Sequence, residues 1–215
     1  MNFLVNQIKS KTIVGLNTLK NKIKIYKIIM IHKTGYWLKE NSTSHHIHSD
    51  NLSNWIVNFL KDNKEHQIYD FGCGLGDYLK DLYKNGFKNL KGIEADPMKT
   101  DYEFEILKLN LSEPINFEKK GIIICLEVGE HIPKEYQEIL LNNIKNNCDK
   151  YLILSWAIRG QGGYGHYNEL NNDEILPLIE NLGFKYLEDL SNEVRLVPEN
   201  KCGYFRNTLM IFEKI

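Results

Sequence analysis

Short apolar runs alternate with amphipathic stretches along most of the chain. Seven runs of four to six residues are rich in Ile, Leu, Phe and Tyr, which is typical of strands. The predicted strands are Gln67–Phe71, Asn89–Glu94, Phe104–Leu107, Gly121–Leu126, Tyr151–Ser155, Phe184–Leu187 and Leu209–Glu213. The predicted helices are Asp77–Asn85, Glu135–Asn147 and Asp173–Leu182. A further helix is predicted to begin at Ser49 or Asp50, with Leu52, Trp55, Ile56, Phe59 and Leu60 on one face.

The order of these elements predicts the fold class. Strands that alternate with helices are typical of βαβ units, which build a parallel sheet. No clear helix accompanies the last two strands, so we expect them to form a terminal antiparallel hairpin. The sequence therefore predicts an α/β fold with a seven-stranded, mostly parallel sheet.

The first 34 residues differ from the rest in charge. They carry seven lysines with Ile, Leu and Val between them, namely Lys9, Lys11, Lys20, Lys22, Lys24, Lys27 and Lys33. We predict a basic helical extension over residues 1–34 with a solvated lysine face, and one domain over residues 35–215. A helix that binds a membrane surface or an anionic partner is the alternative. The apolar stretch Ile23–Ile31 is interrupted by lysines and is too short to predict a transmembrane segment.

Composition narrows the classes of function. The chain has 215 residues, 42% of them hydrophobic, which is enough for one domain with a core of ordinary size. With 27 basic and 28 acidic residues the net charge is -1. This charge argues against a general nucleic-acid-binding protein, which would need an excess of basic residues. The four cysteines, Cys73, Cys125, Cys148 and Cys202, lie far apart with no CxxC pair. Neither a disulfide framework nor a zinc site is predicted, and a reducing, cytoplasmic compartment is expected.

A glycine-rich turn follows the first predicted strand. Gly72, Gly74 and Gly76 stand at every second position, directly before a predicted helix, and Asp70 precedes them by two residues. Glycine is needed where the backbone turns sharply or where a ligand approaches it closely. A dinucleotide fingerprint would be GxGxxG, and the Asp70 carboxylate would repel a pyrophosphate. The pattern favours a ligand with a cationic amino group, such as S-adenosylmethionine.

At these residues the chain resembles the class I S-adenosylmethionine-dependent methyltransferases, whose first motif is an acidic residue followed by xGxGxG. Three later motifs agree in order and spacing over Tyr36–Phe212: Gly92–Pro97, Leu109–Leu111 and Leu126–Ile132. The resemblance implies a Rossmann-like fold with S-adenosylmethionine as cofactor. It implies that Glu94 accepts the ribose hydroxyls and that Asn110, where the family often has Asp, accepts the adenine amine. The implied cofactor residues are Asp70, Gly72, Cys73, Gly74, Gly76, Glu94, Ala95, Asn110, Leu111 and Glu127.

The segments after the fourth and fifth strands are expected to face the transferred methyl group, because open α/β sheets bind ligands beyond the carboxyl ends of their strands. A hydroxyl acceptor needs a base, and His166, in a loop with four glycines, is the first candidate. His131 is the second, and Glu130 could orient the base. Each of these residues could instead serve the structure, as a loop contact or a helix cap. The candidate acceptor residues are Trp156, Arg159, Gln161, Tyr164, Tyr167 and Asn168, although Arg159 could equally form a salt bridge.

The loop Gly160–Asn168 is similar to a GQGGxGHxN element in methyltransferases of large DNA viruses and glycan clusters. That resemblance implies O-methylation of a sugar, glycan or other small hydroxylated acceptor, in the host cytoplasm if the protein is viral. The His45–Asp50 patch could supply metal ligands, but no partner carboxylates are fixed by spacing, so we expect no metal there. We predict that the patch lines the entrance over the cofactor or is simply solvated.

Two other functions remain open at this point. Methylation of RNA is the first, although no Asp/Asn-Pro-Pro-Tyr element follows the fourth strand. A scaffold that binds the cofactor without transferring its methyl group is the second. The sequence does not indicate the oligomeric state.

Overall fold

The computed structural model describes residues 31–38 and 46–215. Apart from its last four residues, the helical extension predicted for residues 1–34 lies outside the described residues. Residues 31–38 form a turn, closed by an isolated bridge between Ile31 and Trp37. We call this segment the 31–38 turn.

A seven-stranded sheet forms the centre of the molecule and confirms the predicted fold class. Its strands are β1 (Ile68–Phe71), β2 (Leu90–Glu94), β3 (Glu105–Lys108), β4 (Gly121–Cys125), β5 (Cys148–Leu154), β6 (Phe184–Tyr186) and β7 (Met210–Lys214). Their order is β3-β2-β1-β4-β5-β7-β6. The first five strands pair in parallel, and β7 pairs antiparallel with both β5 and β6.

Six helices accompany the sheet in the described residues. They are α1 (Asp50–Phe59), α2 (Asp77–Lys84), α3 (Gln137–Asn147), α4 (Asn172–Glu180), α5 (Glu188–Val194) and α6 (Phe205–Thr208). The predicted cap of α1 is Ser49, whose side chain accepts the N–H of Leu52. Helices α5 and α6 lie between β6 and β7, so the expected terminal hairpin is an antiparallel pair joined by a long connection. With seven and four residues they are too short to show a helical repeat.

Apolar side chains fill both faces of the sheet. On one face, Leu140 and Ile144 of α3 and Ile175 and Ile179 of α4 join a single buried cluster. On the other, Leu52 and Ile56 of α1 join a second cluster with residues of α2, α5 and α6. In β4, Ile122 and Ile124 enter the second cluster, while Ile123 and Cys125 enter the first. This alternation follows from the two-residue period of a strand and gives a three-layer sandwich.

The strand order reverses between β1 and β4, which are neighbours at the centre of the sheet. From β1 the chain proceeds through β2 to β3 on one side, and from β4 to β5 on the other. In an open α/β sheet, the carboxyl ends of strands at such a point leave a crevice for a ligand. Within residues 31–38 and 46–215, no helix has the length and apolar character needed to span a bilayer.

Candidate active site

A cavity of about 360 Å³ opens at the carboxyl ends of β1, β2 and β4. Its walls come from the glycine turn after β1, the end of β2, the segments after β3, β4 and β5, the 31–38 turn and the start of α6. We call the part around Asp70 and Glu94 the cofactor end. The part around Glu130, His131 and His166 is the acceptor end.

The three alternating glycines give the turn after β1 its shape. Gly72, Gly74 and Gly76 have positive φ angles of 74°, 53° and 69°, a region that side chains with a Cβ rarely adopt. A Cβ on Gly72 would lie 2.5 Å from a methyl carbon of Val128, and one on Gly74 would lie 2.5 Å from the ring of His46. Gly72 and Cys73 line the cavity, whereas Gly74 and Gly76 do not.

Asp70 places a buried carboxylate in the central strand of the sheet. Its side chain is only 4% exposed, and its Oδ2 has no hydrogen-bond partner among the described residues. Burial, together with the nearby charge of Glu94, raises the pKa of Asp70 to about 7. A cationic ligand group would supply the missing partner, as the sequence predicts for the amino group of S-adenosylmethionine.

Glu94 is held at the end of β2 by backbone donors. Its Oε2 accepts the N–H of Gly74 at 3.1 Å, and its Oε1 accepts the N–H of Ala95 at 2.9 Å. Burial raises the pKa of Glu94, although these N–H groups oppose the rise. A carboxylate fixed in this way at a strand end can accept two neighbouring hydroxyls, so Glu94 fits a ribose.

Asn110 follows β3 and lies across the cavity from the glycine turn. Its Oδ1 accepts the N–H of Ser112 at 3.0 Å, and its Nδ2 donates to the Thr34 hydroxyl at 3.2 Å. An amide oxygen has two lone pairs, so Oδ1 retains capacity for the adenine amine that the resemblance implies. Ala95, Leu111 and Glu127 also line the cavity. The cofactor end thus offers an anion for a cation and hydrogen-bond acceptors for a nucleoside, and these residues fit S-adenosylmethionine.

His166 is oriented by a carboxylate at the acceptor end. Its Nδ1 donates to Oε1 of Glu169 at 2.9 Å, and Glu169 also accepts the N–H groups of Gly160 and Gly162. Partial burial raises the pKa of Glu169, but these hydrogen bonds lower it by more, so the pKa lies below its usual value. When histidine acts as a general base, a carboxylate commonly holds one ring nitrogen so that the other can accept a proton. Nε2 of His166 is the nitrogen left for a proton or a ligand.

His131 packs edge-on against His166, with ring centroids 4.9 Å apart. Its Nδ1 lies 3.1 Å from the carbonyl oxygen of Gly165 and 3.4 Å from Nε1 of Trp37. The indole N–H of Trp37 can only donate and the Gly165 carbonyl can only accept, so a neutral His131 ring satisfies one of these two contacts at a time. Burial and the neighbouring His166 lower the pKa of His131 to about 4, so its imidazole is neutral at pH 7.

Glu127 and Glu130 bring two carboxylates to the same end of the cavity. Glu130 is fully buried, and neither of its oxygens has a hydrogen-bond partner among the described residues. Burial and then the charge of Glu127 raise the pKa of Glu130 well above its usual value, against the effect of nearby backbone N–H groups. Glu127 has a φ of 53°, unusual for a residue with a side chain, and accepts hydrogen bonds from Gln161 and Thr208.

One oxygen of Glu130 and one nitrogen each of His131 and His166 lie within 4.8 Å of one another. This is a set of groups that could hold a metal ion, and it includes no residue of the His45–Asp50 patch. Of that patch, His46, Ile47 and His48 line the cavity, and His48 contacts Asp81 at 3.1 Å. Sequence spacing does not reveal the set, because His166 stands 35 positions after His131.

Four of the six candidate acceptor residues do not line this cavity, although three of them line a neighbouring depression with His166, namely Arg159, Tyr167 and Asn168. Trp156 is fully buried, donates to the Asn168 carbonyl and packs on Gly129, where a Cβ would lie 2.2 Å from the indole. Asn168 is buried and donates to Gln137. Arg159 forms a two-bond ion pair with Glu174, and Tyr167 is 59% exposed. Gln161 and Tyr164 do line the cavity.

The 31–38 turn supplies a wall that sequence reasoning missed. Trp37 meets His131 and Tyr164 edge-to-face, with ring centroids 5.4 Å and 5.8 Å apart. The turn is anchored at Thr34, whose carbonyl accepts the Ser112 hydroxyl at 2.8 Å. At Gly35, a Cβ would lie 2.0 Å from the carbonyl oxygen of His131. The turn therefore closes over the acceptor end through contacts that only a glycine allows.

Comparisons with known proteins agree with the fold. No family model matches the chain. Ubiquinone biosynthesis O-methyltransferase of Rickettsia bellii is 27% identical over 219 residues, covering 84% of this chain and 88% of the relative. The solved structure of magnesium protoporphyrin IX methyltransferase from Synechocystis PCC 6803 with bound SAH has a TM-score of 0.58 at 16% identity, over 76% of this chain and 81% of that one. The sugar N-methyltransferase KedS8 from Streptoalloteichus sp ATCC 53650 has a TM-score of 0.58 at 10% identity, over 81% and 90% of the two chains.

Fold, cofactor end and relatives together define a class I S-adenosylmethionine-dependent methyltransferase. S-adenosylmethionine is its cofactor. The similarity to viral and glycan-cluster methyltransferases stays a prediction.

Proposed function

We propose that this methyltransferase methylates a hydroxyl oxygen of a small acceptor, with His166 as the general base. The observation that carries the proposal is the hydrogen bond from Nδ1 of His166 to Glu169, which leaves Nε2 of a cavity-lining imidazole available for a proton. An amine acceptor would need less help from a base, whereas a hydroxyl is a poor nucleophile until its proton is removed.

S-adenosylmethionine supplies a methyl group bonded to a cationic sulfur. The acceptor attacks this methyl group in line with the carbon–sulfur bond, and the sulfur leaves. Asp70 and Glu94 hold its amino group and its ribose. At the other end, His166 takes the acceptor proton at Nε2 while Glu169 keeps the ring in position. The 31–38 turn, through Trp37, restricts the entry of water and orients the acceptor against Tyr164.

The acceptor is, in this proposal, a sugar, glycan or other small hydroxylated molecule. A curated relative is named for O-methylation in ubiquinone biosynthesis, and one solved neighbour is a sugar methyltransferase that acts on nitrogen. Both sugars and ring hydroxyls therefore belong in the set of acceptors to be tested. The aromatic wall formed by Trp37 and Tyr164 can stack on either kind of ring.

The test is a labelled-methyl transfer assay with the full chain, over a panel of glycosides, phenols, amines and a short RNA. We expect label on a hydroxyl oxygen of a small acceptor, and a decrease in kcat of at least about 100-fold in His166→Ala. The Kd for S-adenosylhomocysteine should be the same in both proteins, which serves as the control for folding.

Transfer to RNA or to amines alone would contradict the proposal in favour of those acceptors. Equal turnover by His166→Ala would remove the base role from that residue. Cofactor binding without transfer to any acceptor of the panel would support the scaffold alternative instead.

A further inference from the structure

We propose that Glu130, His131 and His166 form a binding site for a divalent cation at the acceptor end of the cavity. The three donor atoms lie within 4.8 Å of one another, and Nε2 of His131 is 3.9 Å from Oε1 of Glu130. Around a tetrahedral ion with bonds of about 2.1 Å, neighbouring ligand atoms lie about 3.4 Å apart. A shift of roughly half an ångström, within the freedom of a side chain, would bring this pair to ligand distance.

Glu130 provides the second, independent observation. Its side chain is completely buried, it lines the cavity, and both of its oxygens lack a hydrogen-bond partner among the described residues. Buried carboxylates in proteins are normally paired with a cation or fully hydrogen-bonded, because desolvation of the charge is costly. A cation held next to Glu130 would supply the partner that the described part of the chain does not.

Both histidines are oriented as metal ligands usually are. In each ring, Nδ1 faces a fixed oxygen: the Gly165 carbonyl at 3.1 Å for His131 and the Glu169 carboxylate at 2.9 Å for His166. Donation from Nδ1 to these oxygens leaves Nε2 without a proton, which is the state in which an imidazole nitrogen binds a metal ion. Glu127, by contrast, already accepts hydrogen bonds from Gln161 and Thr208, so we do not include it.

The chemistry of the donors indicates the kind of ion. Two imidazole nitrogens and one carboxylate oxygen suit ions such as Zn²⁺ or Mn²⁺ better than Ca²⁺, which prefers oxygen ligands alone. Three protein ligands leave at least one position open for an acceptor oxygen. This role rests on the proposed methylation of a hydroxyl and changes one step of it. With the ion bound, Nε2 of His166 would bind the ion, and the acceptor hydroxyl would release its proton to solvent because the ion lowers its pKa.

The experiment is a titration of the full chain with Mn²⁺ and, separately, with Zn²⁺, followed by calorimetry and by the electron paramagnetic resonance of Mn²⁺. Neither cofactor nor acceptor is present, so the result does not depend on methyl transfer. We expect one ion per chain, and at least a tenfold weaker affinity in both Glu130→Gln and His131→Gln. His66→Gln is the matched control, since His66 is a partly exposed histidine hydrogen-bonded to Asp149 outside the cavity, and its affinity should be unchanged.

Unchanged binding of S-adenosylhomocysteine shows that each variant is folded. If Glu130→Gln does not fold, His166→Gln tests the same site. The proposal is overturned if the wild-type chain binds neither ion, or if the variants bind it as tightly as His66→Gln does, even where methyl transfer to a hydroxyl proceeds. One ion bound by a chain that transfers no methyl group to a hydroxyl would leave the site standing and would contradict the proposed function instead.

Discussion

The two ends of the cavity are built in different ways. At the cofactor end, Asp70 and the glycines of the following turn come from one continuous stretch, and Glu94 ends the neighbouring strand. At the acceptor end, the walls come from segments that are distant in the sequence: the 31–38 turn, Glu130 and His131 after β4, and His166 after β5. The first end depends on local backbone geometry, and the second on how separate loops pack together.

This difference predicts where substitutions act. Changes at the cofactor end should weaken cofactor binding and leave the acceptor end intact. Changes at the acceptor end should reduce turnover while cofactor binding is kept. Glu94→Ala and Glu169→Gln test this separation directly, whereas Gly35→Ala and Asp70→Asn test how each end is built.

Glu94→Ala should have the largest effect, because it removes both acceptors that the end of β2 offers to the ribose. We expect the Kd for S-adenosylhomocysteine to rise about 100-fold in calorimetry, which corresponds to about 2.7 kcal/mol. Asp101→Ala is the matched control, since this carboxylate is exposed and pairs only with Lys99 among the salt bridges of the described residues. Loss of binding in both variants would contradict a specific role for Glu94.

Gly35→Ala should disturb the acceptor end through its backbone. Gly35 has a φ of 97°, and the added Cβ would lie 2.0 Å from the His131 carbonyl oxygen, so the 31–38 turn has to move. We expect a loss of about 2–3 kcal/mol in the free energy of unfolding, measured with denaturant.

The matched control for Gly35→Ala is Gly160→Ala. Gly160 also has a positive φ, of 84°, but nothing lies within 4 Å of its Cβ position. Its substitution should cost about 1 kcal/mol from backbone strain alone. Equal losses in the two variants would show that the contact with His131 contributes nothing.

Glu169→Gln tests the orientation of His166. The amide keeps the size of the side chain but removes the charge that fixes Nδ1, and we expect kcat to fall about tenfold. The KM for S-adenosylmethionine should not change, since Glu169 is not part of the cofactor end. A change in KM with unchanged kcat would mean that the two ends are not separate.

Asp70→Asn should reveal the smallest effect, in the stability of the cofactor-free protein. The pKa of Asp70 is about 7 in the folded chain against a usual value of 3.8, so the folded state holds an extra proton between these values. The folded protein therefore loses stability as the pH rises through this window. Asp70→Asn should be more stable than wild type at pH 8, and the difference should shrink towards pH 4. Thermal unfolding at both pH values measures this, and a variant less stable than wild type at pH 8 would contradict the burial argument.

The same contrast explains how far the sequence could predict the structure. The seven strands and the glycine turn could be predicted because each is encoded by a short local pattern, with Asp70 at a fixed distance from Gly72. Helices α5 and α6 could not, because seven and four residues show no helical repeat.

At the acceptor end, His166 and His131 could be proposed from their chemistry, but not their contact with each other or with Trp37. An aromatic residue directly after a strand, such as Trp156, suits stacking on an acceptor as well as packing in the core. The signal that separates the two is Gly129, a small residue that makes room for the indole ring. Only the packed structure shows that the two lie opposite each other.

The anchoring of the 31–38 turn has a practical consequence. Thr34 contacts Asn110 at the cofactor end and Trp37 contacts His131 at the acceptor end, so eight consecutive residues touch both binding regions. Cofactor binding should therefore be measured beside stability for any substitution within this turn, Gly35→Ala included.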